Sequence, residues 1–244
     1  LKCDCFILHI IGQEHEDFGI MDSIFIVIPS YNEGKVLRET VSSLQSLPYE
    51  IVVVDDGSKV DSRPMLAGLR VHYLRHPLNL GQGAALQTGM DYALEKGADV
   101  VIHFDADGQH DLNDIPTFLD ALENGADVVL GSRFLRASDL EQVPKRKRIL
   151  LRGAKIVNGI FTGMWLSDAH NGFRALNRKA LEAIDLTENR MAHATEILSL
   201  IKAAKLKVQE VPVTIRYTEY SQAKGQKWTN SINILIDLIL SKLF

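Results

Sequence analysis

The sequence predicts an α/β fold with a mostly parallel central sheet flanked by helices, and three observations carry that prediction. Runs of strand length recur at Ile24–Ile28, Ile51–Val54, Val71–Leu74 and Val100–Phe104, largely apolar and without the alternation of a half-exposed sheet. Segments of helical spacing separate them with short connections, the pattern of right-handed βαβ units. Polar residues gather at the strand ends: Ser30 to Glu33, Asp55 and Asp56, Asp105 and Asp107, Ser132 and Arg133. Open α/β sheets bind ligands at that carboxyl edge, so these clusters mark a site.

At 244 residues the chain holds one large domain, or one domain with an appendage. A hydrophobic content of 46% suffices for a core, and a formal net charge of -4 does not suggest a nucleic-acid binder. The cysteines, Cys3 and Cys5, are too few for a disulfide framework or a zinc site and fit a reducing, cytoplasmic compartment. The first residues carry one short apolar run broken by His9, which lacks the build of a secretory signal. Met21 directly precedes the first strong strand. Residues 1–20 are therefore expected to be a leader, disordered or non-native, followed by a domain over 21–220 and a C-terminal loop and amphipathic helix over 221–244.

Taken in order, Ile24–Ile28 is a β-branched run that Pro29 is expected to end. Val36, Leu37, Val41 and Leu44 follow at helical spacing, and Asp55-Asp-Gly-Ser58 stops the second strand. Asn79-Leu-Gly-Gln-Gly-Ala-Ala85 opens a helix with Leu86, Met90, Ala93 and Leu94 on one face. A helix is expected around Ile115 to Leu122, then a strand at Asp127–Leu130. Ala192–Glu196 opens a late helix, and Val208–Pro212 and Val213–Tyr217 read as late strands.

Two further segments are amphipathic. Lys145-Arg-Lys-Arg148, Arg152 and Lys155 alternate with apolar residues. That segment is either a solvated helix face or, beside a diphosphate site, a helix that meets phosphates or an anionic membrane. Near the C-terminus Asn230, Asn233, Asp237 and Ser241 form a polar stripe on an otherwise apolar helix. Such a helix packs on its own domain, pairs two subunits as a homodimer, or lies on a membrane. No stretch reaches the roughly 18 uninterrupted apolar residues of a membrane span.

The chemistry concentrates at Phe104-Asp-Ala-Asp-Gly-Gln-His110. Residues two apart on an extended chain point to one side with Cα atoms about 6.5 Å apart, so Asp105 and Asp107 face one point. Two hard oxygen donors converging there suit Mg²⁺ or Mn²⁺ carried by a diphosphate; the bland alternative is a solvated Asp/Gly turn.

Together these stretches resemble the family-2, GT-A-fold inverting glycosyltransferases, and within them the polyprenyl (dolichyl) phosphate sugar synthases. The resemblance rests on Ile28-Pro-Ser-Tyr-Asn-Glu33, Val53-Val-Asp-Asp-Gly-Ser58, Asn79–Ala84, Phe104–His110, Gly131-Ser-Arg-Phe134, Asp168-Ala-His-Asn-Gly-Phe-Arg174 and Glu210-Val-Pro-Val213, in the family's order. It implies a Rossmann-like GT-A sheet and transfer of a sugar from a UDP- or GDP-sugar. By the same resemblance Pro29, Tyr31, Glu33, Asp56, Asn79, Gly81, Asp105 and Ala106 would line the nucleotide. Asp105, Asp107 and Gln109 would hold the cation. Arg133 and Arg174 would pair with phosphate oxygens, and Arg148, Arg152, Asp168 and Lys224 would meet the acceptor or its phosphate. It also implies peripheral contact with the inner face of the cell membrane. Asn171 departs from the serine those synthases usually carry.

The acceptor sets the remaining requirement. A lipid phosphate is already ionised and needs no base, whereas a saccharide hydroxyl needs one within hydrogen-bond reach. Glu196 stands about where hydroxyl-using members carry a carboxylate; it is equally placed to be a first-turn glutamate favoured by the helix dipole. A dinucleotide fingerprint starting at Gly81-Gln-Gly83 is rejected, because Leu86 stands at the third glycine position. A non-catalytic scaffold would give no reason to keep the metal and phosphate residues.

Overall fold

A computed structural model describes residues 21–135, 159, 163–169, 171–190 and 192–216. The expected leader, the basic segment with Arg148 and Arg152, Lys224 and the expected C-terminal helix lie outside the described residues. In chain order the elements are β1 (Ile24–Ser30), α1 (Lys35–Leu44), β2 (Glu50–Asp55), β3 (His72–Arg75), α2 (Gln82–Glu95) and β4 (Val100–His103). Then follow α3 (Ile115–Glu123), β5 (Val128–Ser132), β6 (Arg174–Asn177), α4 (Arg178–Ala183), α5 (His193–Ala203) and β7 (Val208–Pro212).

Among the described residues the strands form one sheet in the order β3-β2-β1-β4-β6-β5-β7. All pairings are parallel except those of β6, which runs antiparallel to both β4 and β5. Alternate strand residues feed two separate cores. Phe25, Val27, Val52, Val54 and Val101 pack with α2, α4 and α5, whereas Ile26, Ile28, Ile51, Val53 and Ile102 pack with α1 and α3. Both strand faces are thus apolar, which is why these strands read as continuous hydrophobic runs. Among the described residues no helix is long and apolar enough to cross a membrane.

Close packing of α2 on the sheet depends on Gly89. A Cβ there would stand 2.3 Å from Cγ1 of Val27 in the sheet centre. Gly89→Ala therefore overpacks this core and is expected to cost about 1–3 kcal/mol. Thermal unfolding against the unmodified protein checks this, and an unchanged midpoint would contradict it.

Three expectations change. β1 does not stop before Pro29 but runs through it to Ser30. Pairing with β4 has already ended at Val27–His103, so the missing proline N–H removes no ladder bond. Val213–Arg216 is not a strand; it follows β7 and makes one antiparallel bridge, His110 to Ile215. Conversely, β6 and α4 occupy the Arg174–Ala183 stretch, where no strand or helix was expected. Their hydrophobic run, Ala175 and Leu176, is too short to show a period.

Candidate active site

The parallel directions of β1, β2, β4 and β5 bring Ser30, Asp55, Asp105 and Ser132 to one edge, as the strand-end clusters predicted. Asp105 is held in place from several sides. Its Oδ1 accepts from Gln82 Nε2 at 3.2 Å and its Oδ2 pairs with His110 Nε2 at 3.1 Å. Gly172 packs so close that a Cβ there would lie 2.8 Å from Oδ2. Three separate segments therefore fix this carboxylate. Burial alone would raise its pKa, but the His110 hydrogen bond and the cationic surroundings, Arg174 included, leave it below the usual carboxylate value.

Asp107 behaves oppositely. Burial and the neighbouring Asp105 charge raise its pKa to about 6, partly relieved by the Gln109 N–H, which donates to its Oδ1 at 3.0 Å. Repulsion between converging carboxylates is what a divalent cation relieves, and oxygen donors suit Mg²⁺ or Mn²⁺. Among the described residues no group of three or more His, Cys, Asp or Glu side chains could hold a metal by itself. The residues fit a cation that arrives with a diphosphate completing its oxygen shell. The Gln109 carbonyl accepts Arg216 N–H at 2.8 Å, and Arg216 reaches Asp111 at 2.6 Å, which staples this loop to the chain after β7.

Arg133 is locked by Asp168. The Asp168 carboxylate accepts Arg133 Nε at 2.6 Å, Nη2 at 2.7 Å and the Arg133 backbone N–H at 3.1 Å. Behind it, Glu210 accepts Ser167 N–H at 2.8 Å, the Ser167 hydroxyl at 2.7 Å and Asp168 N–H at 3.2 Å. Asp168, expected to meet acceptor or phosphate, here holds Arg133 with all three of these contacts. Its side chain is buried and serves to aim a guanidinium.

Arg174, expected to pair with phosphate oxygens, lies in the core of the fold. It is only 2% exposed, on the α2–α5 face of β6, paired in register with His103 of β4. Burial lowers its pKa to about 10, and Asp105 and Asp168 are the anions that oppose the shift. His103 and His193 share this buried cluster, and burial, with Arg174, lowers their pKa values to about 3 and about 4. Both histidines are neutral at pH 7, so within this cluster Arg174 is the cation that compensates Asp105 from within the core.

The nucleotide-lining residues divide. Tyr31 is exposed and Glu33 half-buried on the loop after β1. Pro29 and Ala106 are buried, and the Ala106 carbonyl accepts the Thr40 hydroxyl at 3.2 Å. Asp56, expected to hold a base edge or ribose hydroxyl, accepts from Gly81 N at 2.7 Å, Leu80 N at 2.9 Å and Asn79 Nδ2 at 2.9 Å, and pairs with His76 at 2.8 Å. Asn79 is thereby a tether of that loop. Gly81 has φ +113°, and a Cβ would stand 2.2 Å from the Asn189 carbonyl, so its small size serves a protein contact. Asn171 accepts Phe173 N–H at 2.9 Å, closing a turn before β6.

Glu196, the candidate base, sits in the first turn of α5 with both carboxylate oxygens engaged. Oε1 accepts Thr187 N–H at 3.0 Å and the Thr187 hydroxyl at 2.5 Å, and Oε2 accepts Glu188 N–H at 2.9 Å. Sequence reasoning overlooked Gln82, His110, His193 and Glu210. His110 closes the Asp105 motif, and Glu210 stands in the Glu-Val-Pro-Val segment; both positions were visible, but not their partners.

A model of "Glycosyl transferase family 2" matches residues 25–185. The chain is 32% identical over 241 residues to the UDP-N-acetylglucosamine–dolichyl-phosphate N-acetylglucosaminyltransferase of Methanococcus voltae, covering 90% of this chain and 96% of that one. It is 31% identical to the polyprenol monophosphomannose synthase of Mycolicibacterium smegmatis, covering 82% of this chain and 79% of that one. Among solved structures it is similar in fold to glucosyl-3-phosphoglycerate synthase from Mycobacterium tuberculosis, crystallised with Mn²⁺ and UDP. That similarity has a TM-score of 0.62 at 18% identity, over 91% of this chain and 78% of the other.

Proposed function

The chain belongs to glycosyl transferase family 2, and on that premise we propose that this GT-A glycosyltransferase moves a sugar from a nucleotide diphosphate sugar to a polyprenyl phosphate. The observation that carries the acceptor class is Glu196. A general base must be aimed at the proton it removes, and this carboxylate is turned toward three donors of the Thr187–Glu188 turn. An ionised lipid phosphate attacks the anomeric carbon without a base. The relatives named as dolichyl-phosphate and polyprenol-monophosphate enzymes support the same reading.

Asp105, Asp107 and Gln109 would hold Mg²⁺ or Mn²⁺, and the bound cation would neutralise charge growing on the departing diphosphate. Around it, His110 and Gln82 keep the Asp105 carboxylate in one orientation, and Asp168 keeps Arg133 aimed along the same edge for phosphate oxygens. Tyr31 and Glu33 would face the nucleoside. In this reading Arg148, Arg152 and Lys224 meet the lipid phosphate at the membrane surface.

The test is incubation with UDP- and GDP-sugars radiolabelled in the sugar, with Mn²⁺ and undecaprenyl phosphate. Label passing into the organic phase supports lipid-phosphate transfer; label appearing only on added saccharides contradicts it. The metal arm carries its own prediction. Asp107 is protonated below about 6 and ionised above, and only the ionised form ligates. Mn²⁺ affinity should therefore be level above pH 7 and fall with acidity, approaching about tenfold per pH unit below that point. Affinity unchanged from pH 7 to 5 would contradict it.

A further inference from the structure

Helix α2 begins without a side-chain cap. Its N-cap is Gly81, which offers no hydroxyl or carboxylate to the first free N–H groups. The missing acceptor comes from a distant turn: the Asn189 carbonyl takes the Ala84 N–H at 3.3 Å. Two glycines make room for it. A Cβ on Gly81 would lie 2.2 Å from the Asn189 oxygen, and one on Gly83 2.0 Å from the Glu188 oxygen. The turn's carbonyls thus stand where side chains would otherwise be. Between those glycines, Gln82 donates to Asp105.

Residues 187–190 are all exposed, so apolar burial does not hold the turn in place. Polar side chains hold it instead. Glu196 takes both N–H groups at its start, together with the Thr187 hydroxyl. At its end the Arg190 carbonyl meets His193 Nδ1 at 2.6 Å, and just before it Leu186 N–H donates to Gln87 at 2.8 Å. Glu196 supplies the only charged acceptor among these contacts, and hydrogen bonds to a charge are the stronger kind.

We propose that Glu196 is a positioning residue: it clamps the 187–190 turn onto Gly81 and Gly83, and through that contact sets Gln82 against Asp105. The inference rests on the reading of Asp105 as a metal ligand. It replaces the base role with an indirect one, in which the carboxylate accepts the Thr187 and Glu188 backbone N–H groups throughout turnover. Glu196→Gln keeps the shape but turns an amide N–H₂ toward one of those donors. Gly83→Ala disturbs the same contact from the opposite side, by pushing the Glu188 carbonyl away.

The experiment titrates Mn²⁺ alone into each protein, following loss of the free-ion EPR signal, and measures amide exchange at Ala84, Thr187 and Glu188. Glu196→Gln should weaken Mn²⁺ binding by about tenfold, the scale of one charge-assisted hydrogen bond, and speed exchange at all three amides. Gly83→Ala should do the same, and the double variant should be no weaker than the weaker single one, because both break one contact. Unchanged Mn²⁺ affinity in Glu196→Gln with unchanged Ala84 exchange would overturn the clamp. So would additive losses in the double variant. If the unmodified protein takes up no Mn²⁺, the metal reading fails, and Ala84 exchange in Glu196→Gln still decides whether the clamp exists. Thr187→Val, which removes one of the three donors without a charge change, gives a smaller shift in the same direction should Glu196→Gln not fold.

Discussion

Asp107→Ala is expected to lower sugar transfer by roughly a thousandfold, about 4 kcal/mol of transition-state stabilisation, while leaving the fold intact. The asymmetry between the two carboxylates explains why this residue is the one to change. Asp105 is tied into the protein by Gln82 and His110, so its loss would also disturb the loop. Among the described residues Asp107 accepts one hydrogen bond, from a backbone N–H two residues on, and carries a charge that its surroundings disfavour. Removing it should relieve local repulsion. Turnover at saturating Mn²⁺ and the thermal midpoint, measured together, check this: activity should collapse while the midpoint holds or rises. A variant retaining a tenth of the activity would contradict the role.

Arg174→Met is expected to act through stability. The guanidinium is buried with Asp105 and Asp168 as its opposing charges. Removing one partner of a buried charge set leaves the others uncompensated, typically at about 3–5 kcal/mol. For a domain of this size that is a fall of about 10 °C in Tm. Methionine fills much of the volume, so the loss reports charge more than cavity. His103 cannot take over. Neither of its buried ring nitrogens has a hydrogen-bond partner among the described residues, and burial, the largest cause of its low pKa, still opposes a charge there once Arg174 is gone. A midpoint within 2–3 °C of the unmodified protein, on the order of 1 kcal/mol, would show that the charge is not needed.

The parts of this molecule legible in the sequence are those governed by local pattern. Ile51–Val54 and Val100–Ile102 announced buried strands because both of their faces meet a core, and the acids after them announced the site edge. Contacts that depend on who meets whom across the fold were not legible. Asp56 and Asp168 read as ligands in the chain, and nothing there shows the protein N–H groups that they hold in the fold. Their partners, Leu80 and Gly81 for one and Arg133 for the other, become neighbours only when the sheet forms. The burial of Arg174 was not legible for a related reason. Nothing in Gly-Phe-Arg-Ala tells a surface arginine from one that a strand turns inward, and the strand itself, β6, was too short to see.

Nucleotide release measured with undecaprenyl phosphate and, in parallel, with the free alcohol undecaprenol tests the central claim most directly, using a panel of UDP- and GDP-sugars with Mn²⁺. A metal-dependent enzyme that relies on an already ionised acceptor should release nucleotide with the phosphate, and neither with the alcohol nor without Mn²⁺. Equal release with the alcohol, or release indifferent to either lipid, would contradict the account and return Glu196 to the role of base.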